Sequence, residues 1–591
     1  MHIKSNFSGI IVTISLLSWL RASTAAQASP VNQLPLGSNR IATRPNVVFI
    51  LTDDQDLHMQ SLDYMPLLKK HITDRGTFYK RHFCTIAICC PSRVSLWTGK
   101  TAHNTNVTDV SPPHGGYPKF ISQGLNENHL PVWLQEAGYN TYYTGKLFNS
   151  HTVDNYHSPY VKGYTGSDFL LDPFTYQYLN ASFQRNQDPP ISYEGQYSTD
   201  VLAEKGYGFL EDAVNAGNPF FLTLAPIGPH ANVKFPEPGE AIEMTEPVSA
   251  PRHQHLFEDV KVPRTPNFNP NQPSGVNWIR YLPQQNQTNI DYNDHFYRQR
   301  LRALQAIDEI VEGVIERLES YGILDNTYVI YSTDNGYHIG QHRLQPGKEC
   351  GYEEDINIPL IIRGPGVPEG EVTEIVTSHT DLAPTFLNLL GIPLRDDFDG
   401  IPIPLTKTGL EEASKQRHEH VNVEFWGIGL GEGIHGWHMY PNNTYKALRV
   451  IGKGYNLYYS VWCNNEHQLY NLDRDPYQLE NLMVKVSDPS GPSPPDLLGL
   501  PLTKVIARLD SLLMVLKSCK GESCIEPWKV LHPGGDVLNL YDALSVKYDQ
   551  FYVVEQPKVA FSSCETGYIP EAEGPQEPIM YRDGVHWSHW V

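Results

Sequence analysis

Two windows of the 591-residue sequence place a carboxylate and a second oxygen donor directly after a run of branched apolar residues. Asn46-Val47-Val48-Phe49-Ile50-Leu51-Thr52 ends in Asp53-Asp54, and Tyr328-Val329-Ile330-Tyr331-Ser332-Thr333 ends in Asp334-Asn335. Adjacent carboxylates repel unless a cation lies between them. A set of oxygen donors without added sulfur or imidazole suits calcium or magnesium and argues against zinc. Read singly, Asp53-Asp54 is also an acidic turn and Asn335-Gly336 a hairpin turn. A third window, Cys89-Cys90-Pro91-Ser92-Arg93-Val94-Ser95-Leu96-Trp97-Thr98-Gly99, begins with two thiols. Taken alone, these are disulfide halves of an exported chain ahead of a proline in the first turn of a helix.

The elements that must position these groups are strands of a buried sheet. Continuous apolar runs fit strands covered on both faces, as parallel strands are. Two further runs end in cationic groups: Tyr139 to Thr144 leads to Gly145-Lys146, and Pro219 to Ala225 leads through Pro226-Ile227-Gly228-Pro229 to His230. A lone lysine or histidine after a strand is unremarkable. Four strand ends carrying Asp-Asp, Lys, His and Asp-Asn are not, because open α/β sheets bind ligands beyond the carboxyl ends of their strands. Leu301, Leu304, Ile307, Val311, Val314 and Leu318 predict a helix over 297–321, so Asp334 follows a helix-to-strand crossover and not a hairpin.

Composition bounds the rest. With 40% hydrophobic and 11% aromatic residues the chain is globular and can bury more than one core. A net charge of -21 without a basic block excludes nucleic acid and anionic membrane surfaces as partners, so an anionic substrate must meet a local cluster of cations. Lys4, an apolar run from Gly9 to Leu20 and the small residues Ala25-Ala26-Gln27-Ala28 predict a signal peptide over 1–28 and no membrane span. The expected location is secreted, extracellular or in the cell wall, with the vacuole or lysosome as alternatives. Sequons stand at Asn106, Asn180, Asn286 and Asn442. Of eight cysteines, Cys519 and Cys524 bracket a short turn and are the expected disulfide.

The Cys89 window resembles the signature of the type I sulfatases, in which the first cysteine is oxidised to formylglycine. The resemblance continues through Asp334-Asn335-Gly336-Tyr337-His338, Pro346-Gly347-Lys348 and Ser378-His379-Thr380-Asp381-Leu382-Ala383-Pro384-Thr385, covers residues 45–400, and resumes at Leu469 to Pro476. It implies one calcium ion per subunit on Asp53, Asp54, Asp334 and Asn335, with the modified Cys89 as a further ligand. It also implies that Arg93 holds the formylglycine hydrate and that Lys146, His230 and Lys348 bind sulfate. Many family members carry a histidine two residues after Lys146, where this chain has Phe148. The Gly-Lys-x-x-Asn variant is similar to the glucosamine-6-sulfatase branch and the fungal arylsulfatases, and His338 is the candidate to take over part of that role. In the implied chemistry one hydroxyl of the aldehyde hydrate attacks sulfur and the other expels sulfate.

The resemblance implies an α/β fold: an alkaline-phosphatase-like sandwich with a large mixed, mostly parallel sheet and a smaller C-terminal α+β domain. The expected divisions are a catalytic domain over 41–404 and a smaller domain with an antiparallel sheet and a tail over 405–591. The latter carries a Pro/Ser/Gly-rich loop at 487–501, a helix near Val505–Leu516 and a tail bearing Trp587 and Trp590. The expected activity is an arylsulfatase acting on a small-molecule or glycan sulfate ester, with a formylglycine-generating enzyme as a partner during export. The alternatives are an N-acetylglucosamine-6-sulfatase or, if Cys89 stays unconverted, a non-catalytic binding protein. A phosphatase or phosphonate hydrolase of the same superfamily fits less well, because those commonly set Thr or Ser on a two-metal site.

Overall fold

The computed structural model describes residues 44–234, 242–435, 438–484 and 496–582; the signal-peptide segment, most of the 487–501 loop, Trp587 and Trp590 lie outside them. Ten strands form one sheet: β1 (Asn46–Thr52), β2 (Thr77–Phe83), β3 (Asn140–Lys146), β4 (Gly166–Leu170), β5 (Ser182–Arg185), β6 (Ile191–Ser192), β7 (Phe220–Ala225), β8 (Thr327–Thr333), β9 (Leu360–Arg363) and β10 (Glu371–Ser378). Their spatial order is β10-β2-β9-β8-β1-β7-β3-β4-β5-β6. The central β8, β1, β7, β3 and β4 are parallel, while β9 and the β5-β6 edge run antiparallel. The four strands expected to carry the site are thus immediate neighbours, with their carboxyl ends together.

Successive residues of β1 feed opposite cores, as the two-residue period of a strand demands. Val47, Phe49 and Leu51 pack with Val94, Leu96 and Trp97 of helix α1 (Cys89–Thr98). Val48 and Ile50 pack with Leu202 and Phe209 of α2 (Ser198–Ala216) and with Leu304, Ile307 and Val311 of α3 (Gln287–Ser320). A second helix packs on the α1 side through Phe386 and Leu387 of α4 (Leu382–Leu389). Helices on both faces of a largely parallel sheet complete the expected sandwich.

Helix α3 starts ten residues before the apolar periodicity suggested. Asn286 caps it by accepting from the Asn289 amide, and the first turns carry polar side chains that give no apolar stripe. Among the described residues no helix is long and apolar enough to cross a membrane.

After the large sheet comes a four-stranded antiparallel sheet of β11 (His420–Phe425), β14 (Tyr445–Gly452), β15 (Tyr455–Trp462) and β16 (His467–Asn471). Between its first two strands comes a hairpin of β12 (Gly429–Gly431) and β13 (His438–Tyr440), which bridges to Gly347. One face of this sheet packs Val423, Tyr445 and Trp462 against Phe83, Cys84 and Ile356. The other is covered by α5 (Leu502–Leu516), which includes the helix expected near Val505–Leu516. Cys519 pairs with Cys524 as expected, and a second disulfide joins Cys463 to Cys564. Cys84, Cys89, Cys90 and Cys350 are unpaired and buried, so the adjacent thiols of the signature are not disulfide halves.

Candidate active site

Cys89 is the first residue of α1, at the positive end of the helix dipole, and Arg93 lies one turn on along the same face. The Cys89 thiol donates toward Asp53 Oδ1 at 3.5 Å and Asp54 Oδ1 at 3.9 Å, and accepts from Lys348 Nζ at 3.3 Å. Arg93 Nε donates to Asp334 Oδ2 at 2.8 Å, its Nη2 lies 3.6 Å from Asp53 Oδ2, and its Nη1 bonds the Lys146 carbonyl. The ammonium of Lys146 donates to Asp53 Oδ2 at 2.6 Å, and that of Lys348 to both oxygens of Asp54 at 2.5 and 2.6 Å. His230 Nε2 lies 3.5 Å from Asp54 Oδ2. Its Nδ1 is 2.8 Å from the Ala231 carbonyl, which can only accept, so the proton sits on Nδ1.

Three carboxylates therefore face three fixed cations in a buried site. Cys89, His230 and Lys348 keep 2%, 5% and 5% of their surface open and line its mouth. Burial and the neighbouring Asp334 raise the carboxyl of Asp53. Burial pushes Asp54 and Asp334 upward too, but Lys348 and His230 at the first, and Arg93 and the two lysines at the second, outweigh it, so both stay below the ordinary carboxylate range.

The donor set fits a hard divalent cation. The ligand atoms of Asp53, Asp54, Cys89 and His230 all lie within 4.8 Å of one another. Asn335 turns its amide nitrogen to Asp54 at 2.8 Å and leaves its oxygen, the atom a cation would take, buried without a partner. Carboxylate and amide oxygens make up most of the donors, so these residues could hold a metal ion.

His338 stands apart. Its Nδ1 bonds Asp355 at 2.8 Å, and it clusters with Cys350 and Asp355 rather than with Cys89. Phe148 is a core residue against Phe120 and does not reach the centre.

Other side chains around the centre had no role assigned to them from the sequence. Tyr176 stacks on His230 at 4.1 Å, lies 4.7 Å from the Lys146 ammonium, and accepts from Asn149. Ser92 donates to the Asp334 carbonyl and pairs with His379. Glu432, from the loop after β12, stands 4.0 Å from Lys348 and accepts from Tyr337. Arg300 of α3 donates to the carbonyls of Asp54 and Pro229. Ser92 and His379 stand inside motifs singled out in the sequence, and Arg300 is a charged residue on the same helical face as Tyr297, Leu301 and Leu304.

The sequence pattern named Sulfatase matches residues 45–392, more than half of the chain. The chain belongs to the sulfatase family. This sulfatase is 40% identical over 567 residues to an arylsulfatase of Volvox carteri, covering 92% of this chain and 84% of the relative. It is 31% identical over 523 residues to the human N-acetylglucosamine-6-sulfatase, covering 83% and 87% of the two chains. A protein solved in complex with its substrate D-glucosamine-2-N,6-O-disulfate shares the fold, with a TM-score of 0.60 at 21% identity over 75% of this chain and 94% of that one. The sulfatase is thus a sulfuric ester hydrolase, and its family generally uses formylglycine and a metal ion.

Lys146 is fully buried against Asp53. Lys146→Ala is expected to lower kcat/KM for a sulfate ester about a hundredfold, the effect of deleting one preorganised charge from a closed site. Steady-state kinetics on a small aryl sulfate measure this, and a loss confined to a few fold would show that Lys146 does not face the sulfate group.

Proposed function

We propose that the protein is an exported arylsulfatase in which Cys89 is converted to formylglycine and Asp53, Asp54, Asp334 and Asn335 hold one calcium ion. The observation that carries this reading is the position of Cys89 at the start of α1, within hydrogen-bond reach of Asp53, Asp54 and Lys348. The converted residue would supply a hydrated aldehyde, one hydroxyl attacking sulfur and the other releasing sulfate. The cation, when bound, would supply Lewis-acid polarisation. In this reading Arg93 orients residue 89 from one turn along α1. Lys146 and Lys348 balance the charge that grows on the sulfate oxygens. His230, whose Nδ1 proton is fixed on Ala231, holds a second proton at Nε2 and donates it to the leaving oxygen.

An aryl sulfate is the first substrate class, supported by the identity to the Volvox carteri enzyme over most of both chains; a 6-sulfated glucosamine is the second, supported by the human relative. The test is peptide mass spectrometry of the tryptic fragment from His82 to Arg93 of the secreted protein. An aldehyde at residue 89 is expected, followed by turnover of an aryl sulfate. An intact thiol, in protein from a host that makes formylglycine, would leave only the binding-protein reading.

A further inference from the structure

Lys146 closes β3, and His230 follows the neighbouring strand β7. Each faces its own carboxylate, Lys146 at Asp53 Oδ2 and His230 at Asp54 Oδ2. In the proposed chemistry both carry positive charge beside one sulfate group, and like charges held close repel. The side chain lying against both is Tyr176. Its ring stacks on the His230 imidazole with centroids 4.1 Å apart at 24°, and the Lys146 ammonium lies 4.7 Å from the ring centre. An aromatic face attracts a cation within about 6 Å, so one ring serves both groups.

Tyr176 sits in segment 171–181, which joins β4 to β5 and is tied down on two sides. On the β3 side, the Ser150 amide donates to Asp172 Oδ2 at 2.7 Å, the Val153 amide to the Asp172 carbonyl at 3.0 Å, and the Asn149 side chain to the Tyr176 hydroxyl at 2.5 Å. On the β7 side, the Tyr178 hydroxyl donates to the His230 carbonyl at 2.8 Å and the Val233 amide to the Tyr176 carbonyl at 3.3 Å. Tyr176 is buried, yet unlike Tyr178 it belongs to none of the apolar clusters of the described residues. Filling a core therefore does not account for a ring that meets an ammonium and an imidazole.

We infer that Tyr176 is a positioning residue for sulfate ester hydrolysis: its ring fixes the plane of His230 and the seat of Lys146, so that segment 171–181 gives the ends of β3 and β7 one common reference. The inference rests on the reading of Lys146 as a sulfate ligand and of His230 as the proton donor. With Nδ1 held on the Ala231 carbonyl and one ring face covered by Tyr176, the imidazole cannot turn without losing a bond and a stack. Nε2 then keeps its direction toward the centre. A misplaced proton donor costs most when the leaving oxygen is strongly basic, because a stable phenolate departs without help.

The test uses the full-length protein, the variants Tyr176→Leu and Tyr176→Phe, and a series of aryl sulfates running from 4-nitrophenyl sulfate to phenyl sulfate, whose leaving oxygen is the more basic. Tyr176→Leu is expected to lower kcat/KM about tenfold on 4-nitrophenyl sulfate and about a hundredfold on phenyl sulfate, the scale of an ångström-sized misplacement. Tyr176→Phe keeps the ring and should recover most of both losses. A loss equal across the series, which a merely structural defect or a lower yield of converted Cys89 would produce, overturns the inference, as does a Tyr176→Phe variant impaired as badly as Tyr176→Leu. If Tyr176→Leu gives no folded protein, Asn149→Ala removes one tie and leaves the ring: a smaller loss that still grows toward phenyl sulfate is expected, and a flat one overturns the inference. A parent inactive toward every member of the series would bring down the reading of the centre and this inference with it, whereas an active parent with a flat response in the variants sinks the inference alone.

Discussion

Cys89→Ala is expected to abolish sulfate ester hydrolysis, lowering kcat by about 10⁴-fold or more, the scale seen when a covalent nucleophile is deleted from a preorganised site. The structure also explains why an unmodified cysteine would serve poorly there. Burial pushes the Cys89 thiol well above its ordinary range, and Lys146 and Lys348 only partly offset that push, while Asp53 and Asp54 add to it. A thiol that stays protonated at neutral pH is a weak nucleophile. Conversion to an aldehyde removes the dependence on thiolate, and the same carboxylates and cations then surround a group that carries hydroxyls. The variant should fold normally, since a single buried sulfur is lost and its neighbours already pair with one another. Kinetics on an aryl sulfate beside a thermal melt make the check. Retention of more than a few per cent of activity in Cys89→Ala would place the nucleophile elsewhere.

The carboxyl edge of the sheet was legible because each strand reads as an apolar run cut off by polar residues. The register that makes β8, β1, β7 and β3 neighbours is non-local, but strand ends bearing ligands must meet if they act together, so function supplied the missing pairing. Arg93 was legible because it sits one helical turn from Cys89 in a single window. Tyr176 and Glu432 were not, since each is one residue from a distant segment whose own pattern is ordinary. Glu432 lies between Gly431 and Gly433, where no periodicity exists to break. The Cys463–Cys564 bridge was equally hidden, because spacing does not determine connectivity.

The C-terminal segment shows no motif in the sequence. Up to residue 582 the structure ties it into the interior: Thr444 donates to the Glu565 carbonyl, Asn465 bonds both the amide and the carbonyl of Phe561, and Glu573 is buried. Glu573 accepts from Trp426 at 2.7 Å and lies 3.5 Å from Lys446. Lys446 in turn bonds Glu424 at 2.8 Å, and Glu424 also faces His103 Nδ1 at 2.8 Å. His103 belongs to the segment directly after α1, and its Nε2 faces the Cys519 carbonyl at 2.8 Å. One buried chain of charges thus links the nucleophile's neighbourhood, the second sheet and the tail.

Breaking that chain at its centre should cost several kcal/mol of stability, on the order of 3–5 kcal/mol for a broken buried pair. Glu424 is fully buried. Burial raises its carboxyl, but His103 and Lys446 outweigh burial and bring it down to about 2 from an ordinary 4.5. A carboxyl depressed by folding contributes stability that is complete above its unfolded value and lost as pH falls through the folded one. The window here runs from about pH 4.5 down to about pH 2. A depression of that size corresponds to about 3 kcal/mol. Glu424→Gln removes the charge and leaves Lys446 buried with only Glu573 opposite it, so a loss of about 3–5 kcal/mol is expected at neutral pH. The loss should shrink as the parent itself is acidified through the same window, because the parent's carboxylate is then neutralised. Denaturant unfolding of both proteins at a series of pH values measures this, and curves of parent and variant that run parallel would show that Glu424 does not carry the acid sensitivity. Lys446→Met, which leaves the opposite charge unpaired, should be as costly. The double variant Glu424→Gln/Lys446→Met should lose less than the sum of the two, since each single change already forfeits the shared pair.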